Sequence, residues 1–173
     1  MSHLHHYKTS VTWTGNRGEG TSHYKAYDRS HTVSVNHKPV INCSSDAAFM
    51  GDAECYNPEE LFLASLSSCH MLWYLHLCAD AGVVVTAYTD LATGILNEHL
   101  EGGGRFTEAL LHPHVTVADA SMIIKASELH DLAAKKCFIA NSCNFEVKHH
   151  PVTKVAGNTC TMRSSMAVGN CKP

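Results

Sequence analysis

The sequence predicts an α+β fold in which two helices are covered by β-sheets. Near the N-terminus apolar and polar residues alternate, which is typical of strands. A long apolar segment in the middle of the chain begins with a helix start signal, and a second helical pattern follows a glycine-centred hairpin. Each of these helices needs a sheet to cover its apolar face, so helices and sheets must pack in layers.

The first part of the chain predicts short strands followed by a loop. Three strands are expected there, at residues 6–14, 21–27 and 31–36. Residues 37–56, with Pro39, Gly51 and a Ser-Ser-Asp cluster, predict a long loop. A loop of that length in a compact domain usually has a function or covers another element.

The clearest element is the first helix. Asn57 is a favourable N-cap, Pro58 suits the first helical position, and Gly82 is a typical stop after Ala81. The segment is apolar nearly all round, which predicts a central, buried helix. Because such a helix is about 35 Å long, one chain of this size can hardly surround it. A partner subunit is therefore expected to complete the cover.

The second half of the chain continues with strands and one more helix. Residues 83–98 and 105–118 predict two long strands joined by a hairpin at Gly102-Gly103-Gly104. A helix is expected at 121–141 and a last strand at 144–149. The domain is therefore predicted to occupy residues 1–152, and residues 153–173, which are small and polar without periodicity, are predicted to form a C-terminal tail.

Composition narrows the class of protein. The chain has 173 residues, of which 45% are hydrophobic and 17% charged, so it is not a disordered chain. A formal net charge of -3 provides no basic surface, and no nucleic-acid partner is expected. Serines and histidines interrupt the apolar stretch 61–79, which predicts no membrane span. The N-terminal residues do not resemble a signal peptide, so a cytoplasmic protein with reduced thiols is expected.

Two of the eight cysteines occupy positions that suit chemistry. Cys69 and Cys137 both fall on the buried stripe of their predicted helix, so the two thiols could face each other. Buried cysteines are, however, more often structural than reactive. His112 and His114 share one face of a strand, but no third metal ligand stands at a fixed spacing, and no metal or other cofactor is expected. His70 adjoins Cys69 in sequence, but adjacent helical residues do not face each other.

Three segments carry a resemblance to a known family. They are Asn57-Pro58-Glu59-Glu60-Leu61 followed by Leu66-Ser67-Ser68-Cys69-His70, Cys137-Phe138-Ile139-Ala140-Asn141, and Trp13-Thr14-Gly15-Asn16-Arg17-Gly18. They resemble segments of the OsmC/Ohr family, the osmotically inducible and organic hydroperoxide resistance proteins, over roughly residues 6–150. The resemblance implies antiparallel sheets wrapped around two central helices in an intertwined homodimer.

The same resemblance implies a function and a set of site residues. The family consists of thiol peroxidases that act in stress defence, reduce organic hydroperoxides without metal or flavin, and are regenerated by a dithiol reductant. Cys69 corresponds to the peroxidatic thiol, Cys137 to the resolving thiol and Glu59 to the carboxylate that orients an arginine. Arg29, in Tyr27-Asp28-Arg29-Ser30-His31, is favoured as that arginine over Arg17.

Two departures from the family pattern and one further cysteine leave alternatives open. The loop 37–56 contains no arginine, although one branch of the family has its arginine just before the segment that Asn57-Pro58-Glu59 resembles. Phe138 follows Cys137 where the family has proline, and Cys143 lies close enough in sequence to compete as resolving thiol. A small-molecule binding protein on the same fold, in which the cysteines do not turn over, is the alternative function. The physiological peroxide and reductant are not specified by the sequence.

Helix geometry adds an expectation about the site. Glu59 and Cys69 are ten residues apart, which is about 15 Å along a straight helix and about 80° around it. They cannot share a pocket within one unbroken helix. Either the helix bends, or Glu59 and its arginine meet the cysteine of another subunit.

Overall fold

The computed structural model describes residues 3–157 and confirms the α+β class. The elements follow in the order β1 (Ser10–Trp13), β2 (His31–Ser34), β3 (Ile41–Cys43), α1 (Pro58–Asp80), β4 (Val85–Asp90), β5 (Thr93–Glu98), β6 (Gly104–Leu111), β7 (Pro113–Val117), α2 (Ile123–Lys136), β8 (Val147–His149) and β9 (Val152–Val155).

The strands form three sheets of three strands each. The sheet orders are β1-β2-β3, β4-β7-β9 and β5-β6-β8. The expectation of purely antiparallel sheets is wrong. β8 pairs with β6, and β9 pairs with β7, in parallel. The reason is that α2 lies between the paired strands in sequence, and a long crossover of this kind is what allows two strands to run in the same direction.

The N-terminal region differs from the prediction in two places. Residues 21–27 form turns rather than a strand, with one isolated bridge between Asn16 and Tyr27. The predicted loop 37–56 contains β3 and a short 3₁₀-helix at Ala47–Phe49. The three residues of β3 are too short a pattern for periodicity to identify, and they pair with β2 across a turn.

Gly51 fixes the end of that loop. A Cβ atom at this position would lie 1.6 Å from the carbonyl oxygen of Ser45, so only glycine allows the backbone to pass. Hydrogen bonds from the Gly51 and Phe49 amides to the Asp46 carbonyl oxygen hold the two backbone segments together. The loop therefore folds back on itself just before α1.

The predicted hairpin is confirmed, but each of its long strands is divided into two. β5 and β6 pair antiparallel, and Gly102 and Gly103 adopt φ of 88° and 76° at the turn. β4 and β7 belong to a different sheet. Asp90 marks the division, since its carboxylate accepts from the His112 amide at 2.7 Å and from Ser67 Oγ of α1 at 2.6 Å. The chain therefore passes from one sheet to the other at the point where Asp90 is hydrogen-bonded to α1.

Helix α1 starts as predicted. Asn57 Oδ1 accepts from the Glu60 amide at 2.8 Å, and the Glu60 carboxylate accepts from the Asn57 amide at 3.2 Å, which is a capping box. The helix runs unbroken to Asp80, and Gly82 follows with φ of 71°. The predicted N-cap and C-terminal glycine are thus both confirmed.

Within the described part of one chain, one face of α1 is buried, and the cover expected from a partner subunit stays a prediction. The buried residues are Leu66, His70, Tyr74, Leu77 and Cys78. Leu72, on another face, is 63% exposed. The buried face packs on α2 and β4 in the hydrophobic core.

By length and composition α1 could cross a membrane, contrary to the expectation that its polar residues exclude this. An 18-residue window has a mean hydropathy of 1.3, and 28% of it is buried. Core helices of globular proteins pass the same test. Here His70, Tyr74 and Cys78 lie in the core against the second helix and the sheet.

The predicted boundary at residue 152 falls inside a strand. Thr153–Val155 belong to β9, which pairs with β7 and packs on α2, where Ser127 Oγ donates to Thr153 Oγ1 at 3.4 Å. The prediction of a tail from 153 is therefore wrong for these residues, because the strand has only four residues and alternates weakly. Residues 158–173 lie outside the described part of the chain.

Candidate active site

The site lies where α1 and α2 pack together. The buried residues of α2 are Ala126, Leu129, His130 and Ala133, and Cys137 follows directly as the C-cap residue. They recur every three or four residues and therefore form one stripe. This stripe faces the buried stripe of α1, as the contacts between the two helices show.

The two predicted thiols meet at this interface. Cys137 is 1% exposed and its thiol donates a hydrogen bond to the sulfur of Cys69, which is half-buried. Burial raises the pKa of Cys137 to about 11, and the neighbouring Cys69 sulfur acts in the same direction. Cys137 Sγ also accepts from the Ala140 amide at 3.4 Å. The protonated thiol therefore lies beneath the more accessible one.

Cys69 opens into an apolar cavity of about 510 Å³. The lining residues are Ser65, Ser68, Cys69, Leu72, Trp73, His76, Phe138 and Ile139. Trp73 and Phe138 pack edge to face with ring centroids 5.6 Å apart and form one wall. The cavity can hold a small apolar molecule next to one thiol but not the other.

Arg29, the favoured arginine, is held within the N-terminal region. Its guanidinium lies over the rings of Tyr24 and Tyr27, 4.2 and 4.4 Å from their centroids. It donates to the carbonyl oxygens of the same two residues at 2.7 and 2.6 Å, and to Met50 Sδ at 3.9 Å. These contacts occupy both faces and two donors of the guanidinium, and none of them involves Cys69.

Arg17, the other candidate, is also bonded to its own turn. It donates to the carbonyl oxygens of Ala26, at 3.2 Å, and Lys25, and its Nε lies 3.7 Å from the Asp28 carboxylate. Its side chain is about half exposed. Among residues 3–157 neither arginine makes a hydrogen bond or ion pair with Cys69 or Glu59.

Glu59 lies in a separate cavity of about 290 Å³, whose lining includes Phe49, Leu63 and Phe106 but not Cys69. Because α1 is unbroken between the two residues, the bend that could have brought them together does not occur. Its neighbour Glu60 is used by the helix cap. The structure thus brings together Cys69 and Cys137, but not Glu59, Arg17 or Arg29.

Cys143 is not part of the thiol pair. Its Sγ donates to the Ile139 carbonyl oxygen at 3.3 Å, and it lines a third cavity with Phe62, Phe106 and Phe145. Residues 3–157, which include His112 and His114, contain no group of three or more His, Cys, Asp or Glu arranged to hold a metal ion.

Sequence reasoning missed a pair of histidines beside the thiols. His70 Nε2 and His130 Nδ1 are 3.0 Å apart, and both side chains are buried. A signal existed, because His70 lies four residues from Leu66 and from Tyr74, and His130 lies four residues from Ala126. A polar residue on a buried stripe needs a buried partner.

The comparisons with known proteins agree with this fold. A sequence model of OsmC-like proteins matches residues 51–150. A solved OsmC-like protein of unknown function from Vibrio cholerae is 32% identical, covers 86% of this chain and 100% of its own, and superposes with a TM-score of 0.77. None of the curated proteins compared with the chain matches it.

Two more distant structures share the fold. An organic hydroperoxide resistance protein from Elizabethkingia anophelis is 22% identical, with coverage of 89% and 100% and a TM-score of 0.63. Another from Legionella pneumophila is 19% identical, with coverage of 86% and 98% and a TM-score of 0.61. The matched segment contains both thiols and the helix that carries Cys69. The chain belongs to the OsmC-like protein family.

Proposed function

We propose that this protein is a cysteine-based peroxidase that reduces organic hydroperoxides. The observation that carries the proposal is the arrangement of the two thiols, in which half-buried Cys69 lines an apolar cavity and buried Cys137 donates a hydrogen bond to it. A peroxidatic thiol must be reached by the peroxide, whereas a resolving thiol needs only to reach the first sulfur. The names of the Elizabethkingia and Legionella proteins, organic hydroperoxide resistance proteins, support the same activity.

In the first step the Cys69 thiolate attacks the distal oxygen of the hydroperoxide. The O–O bond breaks, the alkoxide takes a proton and leaves as an alcohol, and Cys69 becomes a sulfenic acid. The Cys137 thiol lies against the Cys69 sulfur during this step and stays protonated, because burial raises its pKa to about 11. Cys69 is thereby oxidised and the peroxide is reduced.

In the second step Cys137 closes a disulfide. Its sulfur attacks the Cys69 sulfenic acid, an S–S bond forms, and the sulfenic hydroxyl leaves with the Cys137 proton as water. Because burial raises the pKa of Cys137, its thiol is protonated before this step and gives its proton to the departing hydroxyl as the sulfur attacks. An external dithiol then reduces the disulfide by exchange and becomes a disulfide itself.

The lining of the cavity favours organic hydroperoxides over hydrogen peroxide as substrates. Leu72, Trp73 and Phe138 offer apolar surface next to Cys69. Such surface binds the organic part of a hydroperoxide through burial of apolar area, whereas hydrogen peroxide has no apolar part to bury.

We also propose that the working protein is a homodimer. Leu72 and Phe138 are 63% and 65% exposed at the cavity, and the sheet β1-β2-β3 makes few contacts with the helices of its own chain. A second copy would cover this apolar surface. It would also let Glu59 and an arginine of one subunit reach the cysteine of the other, which the unbroken helix prevents within one subunit.

One observation favours the alternative, a binding protein without turnover. Cys69 has no cation among its described hydrogen-bonding partners, and both candidate arginines are bonded to backbone carbonyl groups elsewhere. A thiol without a nearby cation is a weak nucleophile at neutral pH. The apolar cavity would then only bind its ligand.

Intact-mass analysis after one equivalent of cumene hydroperoxide separates the two functions. The peroxidase is expected to lose two hydrogens, and peptide mapping should place a disulfide between Cys69 and Cys137. A Cys143→Ser variant is the matched control and should give the same loss. Unmodified thiols at both positions would contradict the peroxidase and support the binding protein.

A further inference from the structure

The buried histidines form a second bridge across the helix pair that carries the thiols. His70 of α1 is 2% exposed and His130 of α2 is fully buried, and their facing nitrogens are 3.0 Å apart. The two rings are nearly coplanar, with an interplanar angle of 6°, which aligns the hydrogen bond along the ring planes. The Tyr74 ring stacks on His130 with centroids 3.8 Å apart and keeps that ring in place.

Both histidines are neutral at neutral pH, so one must donate and the other accept. Burial lowers the pKa of His70 to about 4 and that of His130 to about 3. His130 Nε2 is buried and has no hydrogen-bonding partner among residues 3–157. A buried lone pair costs less than a buried N–H without an acceptor, so the favoured tautomer has His130 Nδ1–H donating to His70 Nε2. His149, held by Asp131 at 3.0 Å, closes the outer side of the cluster.

The histidine bridge is next to the thiol bridge on both helices. On α1, Cys69 and Trp73 contact Cys137 and Phe138. The following residues, His70 and Tyr74, contact His130. On α2, His130 and Cys137 are seven residues apart and therefore on the same face. A rotation of α1, or a slide of α2, that breaks one bridge also moves the other.

We propose that His70 and His130 are positioning residues for disulfide formation: their hydrogen bond fixes the register of α1 against α2, so that Cys137 stays in reach of Cys69 after oxidation. The inference rests on the proposed peroxidase function, for which it adds a role to two residues that touch neither peroxide nor sulfur. As Cys137 attacks the sulfenic sulfur, its proton passes to the departing hydroxyl, which leaves as water. The two sulfurs and that proton must therefore be aligned, so geometry strongly affects the rate. A misplacement of about 1 Å can slow such a step about a hundredfold.

The test compares the two chemical steps in matched variants. His130→Leu removes the hydrogen-bond donor and replaces the ring with an apolar side chain of similar size. His130→Asn places an N–H at the position of Nδ1 and should therefore retain the hydrogen bond to His70. Leu129→Ala, on the same helix, destabilises the core without removing the hydrogen bond. Rapid quench with a thiol-alkylating agent and mass analysis gives the rate of sulfenic acid formation and the rate of disulfide closure separately, and thermal unfolding gives the stability of each variant.

The expected result is that His130→Leu closes the disulfide at least about tenfold more slowly, with the rate of sulfenic acid formation unchanged. His130→Asn should close at nearly the wild-type rate. Equal slowing in Leu129→Ala, or an unchanged closure rate in His130→Leu at lowered thermal stability, would overturn the inference and leave the pair a structural feature only.

Disulfide formation between Cys69 and Cys137 can also be triggered with diamide, without any peroxide. This experiment tests positioning by the histidines independently of the proposed peroxidase function. Diamide oxidises a dithiol to a disulfide through an adduct on one thiol, and the second thiol must still reach the first. If the wild type does not react with hydroperoxides, the peroxidase proposal fails, but the same order of closure rates with diamide would still support positioning by the histidines. Equal diamide rates in His130→Leu and wild type would overturn it.

Discussion

The two helices and the N-terminal sheet contribute to the site in different ways. The helices bring Cys69 and Cys137 into contact within one chain, through buried stripes that pack face to face. The N-terminal region carries both candidate arginines, and there each guanidinium is bonded to carbonyl groups of its own turn. The thiol pair is thus complete in one chain, whereas both candidate arginines lie in a region with few contacts to the helices.

The proposed reaction therefore has two structural requirements, which are contact between the two thiols and activation of Cys69. Contact between the thiols depends on core packing, which the chain satisfies alone. In the proposed peroxidase, activation of Cys69 by Arg29 or Arg17 would depend on where the N-terminal region of one subunit lies relative to the cavity of the other. Variants in the helices should therefore change the chemistry itself, and variants in the N-terminal region should change its pH dependence.

The largest effect is expected for the helix thiols. Cys69→Ser should lower peroxide reduction by at least about a thousandfold, because a hydroxyl at neutral pH does not replace a thiolate nucleophile. Cys137→Ser should consume one equivalent of peroxide and retain a sulfenic acid, detected as a dimedone adduct on Cys69. Continued turnover of Cys137→Ser would show that Cys143 or an external thiol resolves the sulfenic acid.

The next effect concerns the stability of the helix pair in acid. His70 and His130 have pKa values lowered by burial to about 4 and about 3, so below their ordinary value near 6.5 the unfolded chain binds protons that the folded chain does not. The free energy of unfolding should therefore fall, by a few kcal/mol, as pH decreases from about 6.5 to about 4. Urea unfolding across this range measures it.

A double variant sharpens that measurement. His70→Leu with His130→Leu removes both titrating groups and should flatten the pH dependence between about 4 and 6.5. His76→Gln, at an exposed position of α1, is the matched control and should keep the wild-type slope. An equal slope in the double variant would mean that other groups cause the loss of stability.

The N-terminal region is tested by its two arginines. If Arg29 activates Cys69 in the assembled protein, Arg29→Ala should move the midpoint of Cys69 alkylation upward by about one to three pH units. Arg17→Ala should leave it unchanged, since an exposed charge contributes little. A shift in Arg17→Ala alone would reverse the choice of arginine. No shift in either variant would favour the binding protein.

The smallest effect is expected at the cavity wall. Phe138 packs edge to face on Trp73 and is 65% exposed. Phe138→Ala should lower kcat/KM for cumene hydroperoxide about two- to tenfold, which corresponds to an aromatic contact of about 0.5–1.5 kcal/mol. The rate with hydrogen peroxide should stay the same. Equal losses with both peroxides would mean that Phe138 positions Cys137 rather than the substrate.

The sequence predicted elements that depend on local signals. Asn57, Pro58 and Gly82 delimit α1 correctly because caps and helix breakers act within one or two turns. The contact between Cys69 and Cys137 was foreseen as a possibility from their buried stripes. The position of the arginines was not, because the resemblance specifies residue types and not the contacts that Tyr24, Tyr27 and Asp28 make with them.

Non-local pairing limited the rest of the prediction. The parallel partners of β8 and β9 lie about forty residues away in the chain, and no local pattern encodes that choice. The apolar composition of α1 predicted a buried helix but did not tell which surface covers each of its faces. The histidine pair joins residues 60 positions apart. It follows from the stripes only when both helices are considered together.

The parallel pairing of β8 with β6 and of β9 with β7 also has a consequence for synthesis in the cell. α1, with Cys69 and Cys78, leaves the ribosome well before α2, and α2 is joined to its sheet by β9. Contacts of such high sequence separation form late in folding. A nascent chain therefore carries an uncovered apolar helix with two thiols until residue 155 has emerged.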